Sequence, residues 1–114
     1  MHEYSLVLQM LRRVEEEARA RGAVAVRRVA LEVGELAGVE PDFLRSAYEV
    51  ARAGTLCEHA VLEISSCAAR WACPRCGRTF ARDEVLRCAG CDAPARLDER
   101  SEALLLSSIE LEVP

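Results

Sequence analysis

The sequence has few aromatic residues, no lysine and no long apolar segment. Aromatic side chains account for 4% of its 114 residues and hydrophobic ones for 51%, which predicts one small domain with an aliphatic core. No apolar run approaches the roughly 18 to 20 residues of a membrane-spanning helix. No basic segment precedes an apolar one near the N-terminus, so we expect no secretory signal and a cytoplasmic protein.

Positive charge is also scarce. The net charge is −4, and all 15 basic residues are arginine. Because sequence-independent nucleic-acid binding depends on Lys and Arg side chains that neutralise phosphates, this balance argues against a nucleic-acid partner. The lack of lysine by itself indicates no function.

Four of the six cysteines form two CxxC pairs, at 73–76 and 88–91. Two such pairs can complete a tetrahedron of sulfurs around one zinc ion. Two disulfides are the alternative, but the expected reducing compartment favours a metal site. Four thiolates leave no position for water or substrate, so the zinc is predicted to be structural and not catalytic. The predicted ligands are Cys73, Cys76, Cys88 and Cys91.

The remaining cysteines, Cys57 and Cys67, lie outside this spacing. In a reducing compartment we expect both to be ordinary thiols in or near the core.

Apolar periodicity predicts two helices and three strands. The three-and-four spacing indicates helices over 5–21 and from Pro41 to Gly54. Alternation indicates strands over 26–33, 61–67 and 105–113. Ser5 is of a residue type that can cap the first helix. The apolar stripe of the second helix is predicted to comprise Phe43, Leu44, Ala47, Val50 and Ala51.

The order of these elements predicts an α+β fold. We expect a three-stranded mixed β-sheet with two helices on one face, in which the third strand runs antiparallel beside the second. A small four-cysteine zinc-ribbon lobe is inserted before the last strand. The predicted main domain comprises residues 1–69 with 99–114, and the zinc lobe comprises residues 70–98.

The opening Met1-His2-Glu3 offers a second metal chemistry. The terminal amine, the amide nitrogen of residue 2 and the His2 imidazole can close adjacent chelate rings, a donor set that suits square-planar Ni(II) or Cu(II). Taken alone, a histidine at position 2 is more often part of a frayed terminus.

Several segments together resemble the HypA/HybF family of hydrogenase-maturation nickel chaperones. They are the N-terminal Met-His-Glu-Tyr-Ser, the Val-Gly-Glu-Leu-Ala-Gly-Val-Glu loop at 33–40, Ala-Gly-Thr-Leu-Cys-Glu at 53–58 and the two CxxC pairs. The resemblance extends from residue 1 to about residue 113. It implies a nickel carrier for the maturation of [NiFe] hydrogenase and not an enzyme.

The resemblance also implies a set of ligands and partners. Ni(II) would be held by Met1, His2 and Glu3, with Glu40 nearby, and Zn(II) by the four cysteines. The implied partners are the HypB maturation GTPase and the hydrogenase large subunit, with urease maturation proteins in some organisms. The sequence is compatible with a monomer or a homodimer.

The main alternative is a zinc-ribbon adaptor that binds nucleic acid or protein without nickel. Residues 70–100 hold seven arginines against five acidic residues, and Trp71 and Phe80 could stack on bases. We expect these aromatics to pack the lobe's own core instead. His59 is interpreted as a solvated turn residue and not as a ligand.

Overall fold

The computed structural model describes residues 2–114, which form two long helices, a central sheet and a lobe of short strands. In chain order the elements are α1 (His2–Ala20), β1 (Ala25–Gly34), α2 (Pro41–Ala51), β2 (Val61–Cys67), β3 (Trp71–Ala72), β4 (Thr79–Phe80), β5 (Arg87–Cys88), β6 (Ala93–Pro94), β7 (Arg96–Leu97), a 3-10 turn (Glu99–Glu102) and β8 (Leu104–Glu112). None of the helices in the described part of the chain has the length and apolar character needed to cross a membrane.

The central sheet is mixed, as predicted, but its strand order differs from the prediction. β1 lies in the middle, parallel to β2 and antiparallel to β8. The expectation that the last strand lies beside the second was therefore wrong. Val29, Leu31 and Val33 of β1 are at most 3% exposed. This deep burial is expected of a central strand that has a neighbour on each edge.

Both helices pack on one face of this sheet. Val7, Leu11 and Val14 of α1 join the inward side chains of β1 in one buried cluster. The opposite face is polar: Arg28 pairs there with Glu63 and with Glu110. A sheet with one apolar and one solvated face is typical of antiparallel and mixed sheets that helices cover on a single side.

Helix α1 begins at His2, three residues earlier than predicted. Ser5 consequently lies inside the helix with an exposed side chain, so the expectation that it is the N-cap was wrong. The helix ends near the predicted position, where Gly22 adopts a φ of +69°. Ala23 N donates to Ala18 O at 2.9 Å beyond this left-handed residue, which is a common way to end a helix.

Helix α2 buries a different face from the one predicted. Leu44 and Ala47 are buried as expected, but Phe43 is 61% exposed and Val50 is 70% exposed. Tyr48 takes the inner position instead and is 1% exposed. Its hydroxyl donates to Ala60 O at 2.7 Å, so a residue with a polar end can occupy the core.

The zinc lobe has a small core of its own. Strand β3 pairs with β4 and β7, and β5 pairs with β6. Phe80 is buried in this core and Trp71 packs against it. The prediction that these aromatics serve the lobe's own packing is confirmed.

The zinc lobe meets the main sheet through a polar junction. The Glu35 carboxylate accepts from Ala69 N at 2.9 Å and pairs with Arg82 of the lobe at 2.5 Å. Ser101, 1% exposed, accepts from Arg70 N through its hydroxyl at 2.9 Å. These bonds tie together the two places where the chain enters and leaves the lobe.

Candidate metal sites

The four CxxC cysteines converge in the zinc lobe. Their sulfur atoms all lie within 4.8 Å of one another, and Cys76 Sγ lies 3.8 Å from Cys88 Sγ. A tetrahedron with Zn–S bonds of about 2.3 Å has sulfur atoms roughly 3.8 Å apart. The arrangement therefore fits the zinc ion that the sequence predicted.

The first CxxC turn is shaped by its own backbone. Gly77 has a φ of +79°, a conformation that glycine adopts at little cost, and its N–H donates to Cys73 O at 2.9 Å. Cys73 N donates in turn to Arg78 O at 2.8 Å. The turn is thereby closed on itself with the sulfurs on its inner side.

Backbone donors also prepare Cys73 to be a ligand. The N–H groups of Cys76 and Arg75 hydrogen-bond to the Cys73 sulfur and lower the pKa of its thiol to about 6. The Arg75 bond has an N–S distance of 3.4 Å. Because zinc binds the thiolate and not the thiol, this favours the ligating form. Cys73 and Cys88 are buried and Cys76 is exposed, so the site lies at the surface of the lobe's core.

The predicted nickel ligands lie at the start of α1 and in the loop before α2. Met1 lies outside the described residues. His2 is exposed and opens α1, and Glu3 is half-buried. The Glu3 carboxylate accepts from Glu40 N at 3.5 Å, so the structure brings these two predicted residues together. The Glu40 side chain is exposed and makes no capping bond to α2.

Across residues 2–114, the four cysteines are the one group of three or more His, Cys, Asp or Glu side chains close enough to share an ion. His2, Glu3 and Glu40 alone do not form such a group.

The remaining candidates have structural explanations. Cys57 is fully buried, and burial raises the pKa of its thiol to about 11, as expected of a core thiol. Cys67 is half-buried at the end of β2, and His59 is exposed in a turn. No sequence pattern indicated a role for Glu35, because its contacts with Ala69 and Arg82 depend on long-range packing.

Comparison with known proteins decides the family. Residues 1–111 match the family described as hydrogenase/urease nickel incorporation, metallochaperone, hypA. The chain belongs to the HypA family. The hydrogenase maturation factor HypA of Chlorobium limicola is 37% identical over 113 residues, covering 98% of this chain and 97% of that protein. HypA of Aquifex aeolicus is 33% identical over 114 residues, covering 99% of each.

Solved HypA structures share the fold. The solution structure of the Ni metallochaperone HypA from Helicobacter pylori has a TM-score of 0.74 at 25% identity and covers 98% of each chain. A second solution structure of a HypA protein has a TM-score of 0.79, also at 25% identity, and covers 100% of this chain and 98% of that one.

Family membership confirms the predicted function class. The chain is a HypA nickel metallochaperone for hydrogenase maturation, carries a four-cysteine cluster consistent with structural zinc, and is not an enzyme. Nickel binding is implied by the family. The alternative function, a zinc-ribbon adaptor without nickel, does not explain why the family match includes the N-terminal residues.

Proposed function

We propose that the chain binds Ni(II) at its N-terminus and delivers it to a partner protein that assembles [NiFe] hydrogenase. The ligands are the amine of Met1, the amide nitrogen and imidazole of His2, and Glu3, with Glu40 beside them. Nickel is the cargo in this scheme, whereas zinc in the four-cysteine cluster maintains the lobe's structure.

The observation that carries this proposal is the contact between Glu3 and the loop before α2. Glu40 N donates to the Glu3 carboxylate at 3.5 Å, so the first turn of α1 is held against that loop. Glu3, the residue after His2, is thereby kept beside Glu40, which supports a site shared by the first turn of α1 and this loop. His2 also occupies the first position of α1, where a backbone amide has no acceptor within the helix and is available to a metal.

Delivery requires that a partner reach the metal. His2 and Glu40 are exposed, so ligands from another protein can attack the ion before it leaves. An apolar surface formed by Tyr4, Phe43 and Val50 lies next to this end of the molecule. Such exposed apolar surface is typical of protein contacts, which supports transfer within a complex. We propose the HypB maturation GTPase and the hydrogenase large subunit as partners, with urease maturation proteins where urease is present.

The amine ligand provides the sharpest test of the proposal. Adding Gly-Ser before Met1 leaves every side chain intact but moves the amine away from His2 and destroys the adjacent chelate rings. We expect calorimetric titration to show that nickel affinity falls as sharply in the extended chain as in His2→Ala. Zinc content and far-UV circular dichroism should stay unchanged, because the four-cysteine cluster does not involve the terminus.

The second histidine provides the matched control. His59→Ala removes an exposed imidazole in a turn and should leave nickel affinity unchanged. Tight nickel binding by the extended chain would contradict the amine as a ligand and favour a site built from side chains alone.

A further inference from the structure

A cavity of about 250 Å³ lies between α2 and the start of β2. Its rim carries three basic side chains, Arg45, Arg52 and His59, and one acidic side chain, Glu49. We call this cavity the arginine pocket. The chain as a whole has a net charge of −4, so a concave surface on which cations outnumber carboxylates differs from the rest of the molecule. Its lining contains none of the predicted metal ligands among residues 2–114.

Arg45 and Arg52 reach the pocket from the same side of α2. Their spacing corresponds to about two helical turns, so both side chains project from one face. Arg45 Nη1 donates to Leu62 O at 3.1 Å, and Arg52 Nη1 donates to Ala60 O at 3.3 Å. Because these two carbonyls are close neighbours along the chain, the bonds hold the two guanidinium groups beside each other at the start of β2.

Two further contacts hold Arg52 in place. Its Nη2 donates to Glu49 Oε2 at 2.8 Å. Its guanidinium carbon lies 5.4 Å from the centroid of the Tyr48 ring, a distance typical of a cation–π contact. A guanidinium group fixed in this way loses little further conformational entropy when it binds a ligand.

Arg45 retains most of its capacity for hydrogen bonds. A guanidinium group has five N–H donors, and in the described part of the chain the side chain of Arg45 donates to Leu62 O alone. Among residues 2–114, Glu49 pairs with Arg52, and no carboxylate oxygen lies within 4.0 Å of the Arg45 nitrogens. One carboxylate therefore faces two guanidinium groups, which leaves a positive charge in the pocket without an ion-pair partner.

Covering the edge of β2 explains only part of this arrangement. One N–H group from each arginine is enough for the carbonyls of Leu62 and Ala60, and the Tyr48 hydroxyl already donates to Ala60 O at 2.7 Å. Two like charges held side by side repel each other. An anion bound between them removes this repulsion and uses the donors that the carbonyls leave free.

We infer that the arginine pocket binds a phosphate group. Guanidinium groups match the oxygens of phosphate in geometry as well as in charge. The cavity is smaller than the roughly 300 to 1,000 Å³ of pockets that enclose drug-sized ligands, so it takes the phosphate group and not a whole nucleotide. The source is free phosphate or a phosphate ester, whose organic part would contact Val61, an exposed residue of the lining.

The arginine pocket and the proposed nickel site are at opposite ends of α2. Glu40 precedes the first residue of this helix and Arg52 follows the last, and its 11 residues span roughly 16 Å. A phosphate group can therefore be bound while the N-terminus holds nickel. The inference does not rest on the proposed nickel ligands.

NMR titration of inorganic phosphate into the zinc-loaded, nickel-free full chain tests the inference, with ionic strength held constant by chloride. The Nε–H signals of Arg45 and Arg52 and the amides of residues 59–62 should shift along one saturable curve. An exposed site of this kind is expected to have a Kd on the order of 1 mM. Shifts that do not saturate, or that are spread over many surface arginines, would overturn the site.

Phenyl phosphate distinguishes the two sources of the phosphate group. If the pocket serves an ester, phenyl phosphate should bind more tightly than inorganic phosphate and should also shift the methyl signals of Val61. Equal affinity without a Val61 shift would assign the pocket to free phosphate.

Arg45→Gln removes one charge and one guanidinium fork, and it should weaken phosphate binding roughly tenfold or more. Arg45→Lys keeps the charge and should give an intermediate affinity. Arg12→Gln is the matched control, because Arg12 is an exposed arginine of α1 whose replacement changes the net charge equally. Equal weakening in Arg12→Gln and Arg45→Gln would show general electrostatic attraction and overturn the pocket.

Glu49→Gln tests the inference in the opposite direction and does not depend on how well the Arg45 variants fold. The substitution removes the carboxylate that competes for Arg52, so phosphate affinity should rise several-fold. Unchanged or lower affinity would contradict the inference. His2→Ala should bind phosphate as the native chain does, and a loss there would place the phosphate at the N-terminus instead.

Discussion

Gly34 is the residue at which the main sheet and the turn before β8 come closest. A Cβ built on Gly34 would lie 2.3 Å from Arg100 O and 2.4 Å from Ser101 O. These are backbone atoms, which cannot move aside as the end of a flexible side chain can. The glycine is therefore required by close approach and not by its backbone angles.

We predict that Gly34→Ala lowers the free energy of unfolding by roughly 1 to 3 kcal/mol, since the added methyl overpacks a rigid contact. Gly90→Ala is the control: no heavy atom lies within 4 Å of its Cβ position, so its effect should stay within about 0.5 kcal/mol. Urea denaturation of the zinc-loaded proteins compares the two. Equal stability of both variants would mean that the 3-10 turn moves away without cost.

Because of Tyr48, the free energy of unfolding is expected to change with pH in the alkaline range. Its hydroxyl bonds to Ala60 O at 2.7 Å, and burial raises the pKa of this phenol to about 12. A tyrosine of the unfolded chain titrates near 10. Since the folded-state pKa is the higher one, the phenol's contribution is complete below pH 10 and is lost as pH rises toward 12.

We predict that Tyr48→Phe costs about 1 kcal/mol at neutral pH, because the Ala60 carbonyl loses the closer of its two donors and keeps only Arg52 Nη1 at 3.3 Å. Between pH 10 and 12 its stability should fall less steeply than that of the native chain, since phenylalanine has no proton to lose. The fall should not vanish, because burial raises the pKa of the Cys57 thiol to about 11 as well. Chemical denaturation at a series of pH values measures both slopes, and parallel curves would contradict the assignment to Tyr48.

At the scale of elements, the sequence predicted which segments form helices and strands better than which faces they bury. Positions 43, 47 and 50 and positions 44, 47, 48 and 51 both have helical spacing in α2. Tyr48 is buried with its hydroxyl bonded to Ala60 O, so long-range packing and not spacing decides between them. The partner of β8 was missed for a similar reason, because strand alternation carries no information about which neighbour a strand pairs with.

The candidate sites differ in how far the sequence could define them. The four-cysteine cluster follows from local spacing, since each CxxC turn places its own two sulfurs together. The contact of Glu3 with the loop at Glu40 joins distant segments, and the family resemblance was needed to connect them. The nickel ligand set stays a prediction.

The zinc lobe is expected to depend on its metal. Its core contains two of the ligands themselves, Cys73 and Cys88, and the other buried members among the described residues are Phe80 and Ala93. We predict that Cys73→Ala or Cys91→Ala abolishes zinc binding and unfolds the lobe, while α1, α2 and the main sheet stay folded. Zinc analysis and far-UV circular dichroism measure this.

Cys67→Ala serves as the control, because Cys67 lies outside the cluster and its replacement should leave a full equivalent of zinc in place. Retention of zinc in the two cluster variants as well would show that the ion is bound elsewhere.

The whole molecule is elongated, with principal dimensions of 55 × 29 × 17 Å. Its two cores are separate, which supports the proposed division into residues 1–69 with 99–114 and residues 70–98.

We predict that a chain in which a short Gly-Ser linker replaces residues 70–98 still folds and binds nickel at its terminus. Calorimetry on the deletion variant tests this, and loss of nickel binding in a folded protein would mean that the lobe supplies ligands.

The bonds at the junction between the lobe and the sheet also affect how fast the chain folds. Strand β8 must find β1 across a long stretch of sequence, since Arg27 and Glu112, which form an ion pair, are 85 residues apart. A folded lobe holds Arg70 against Ser101, which lie 31 residues apart in the sequence, and so shortens the loop whose closure would otherwise slow this step. Refolding of the main sheet should accordingly be faster when zinc is present from the start, so that the ion bound in the lobe also speeds the folding of the neighbouring domain.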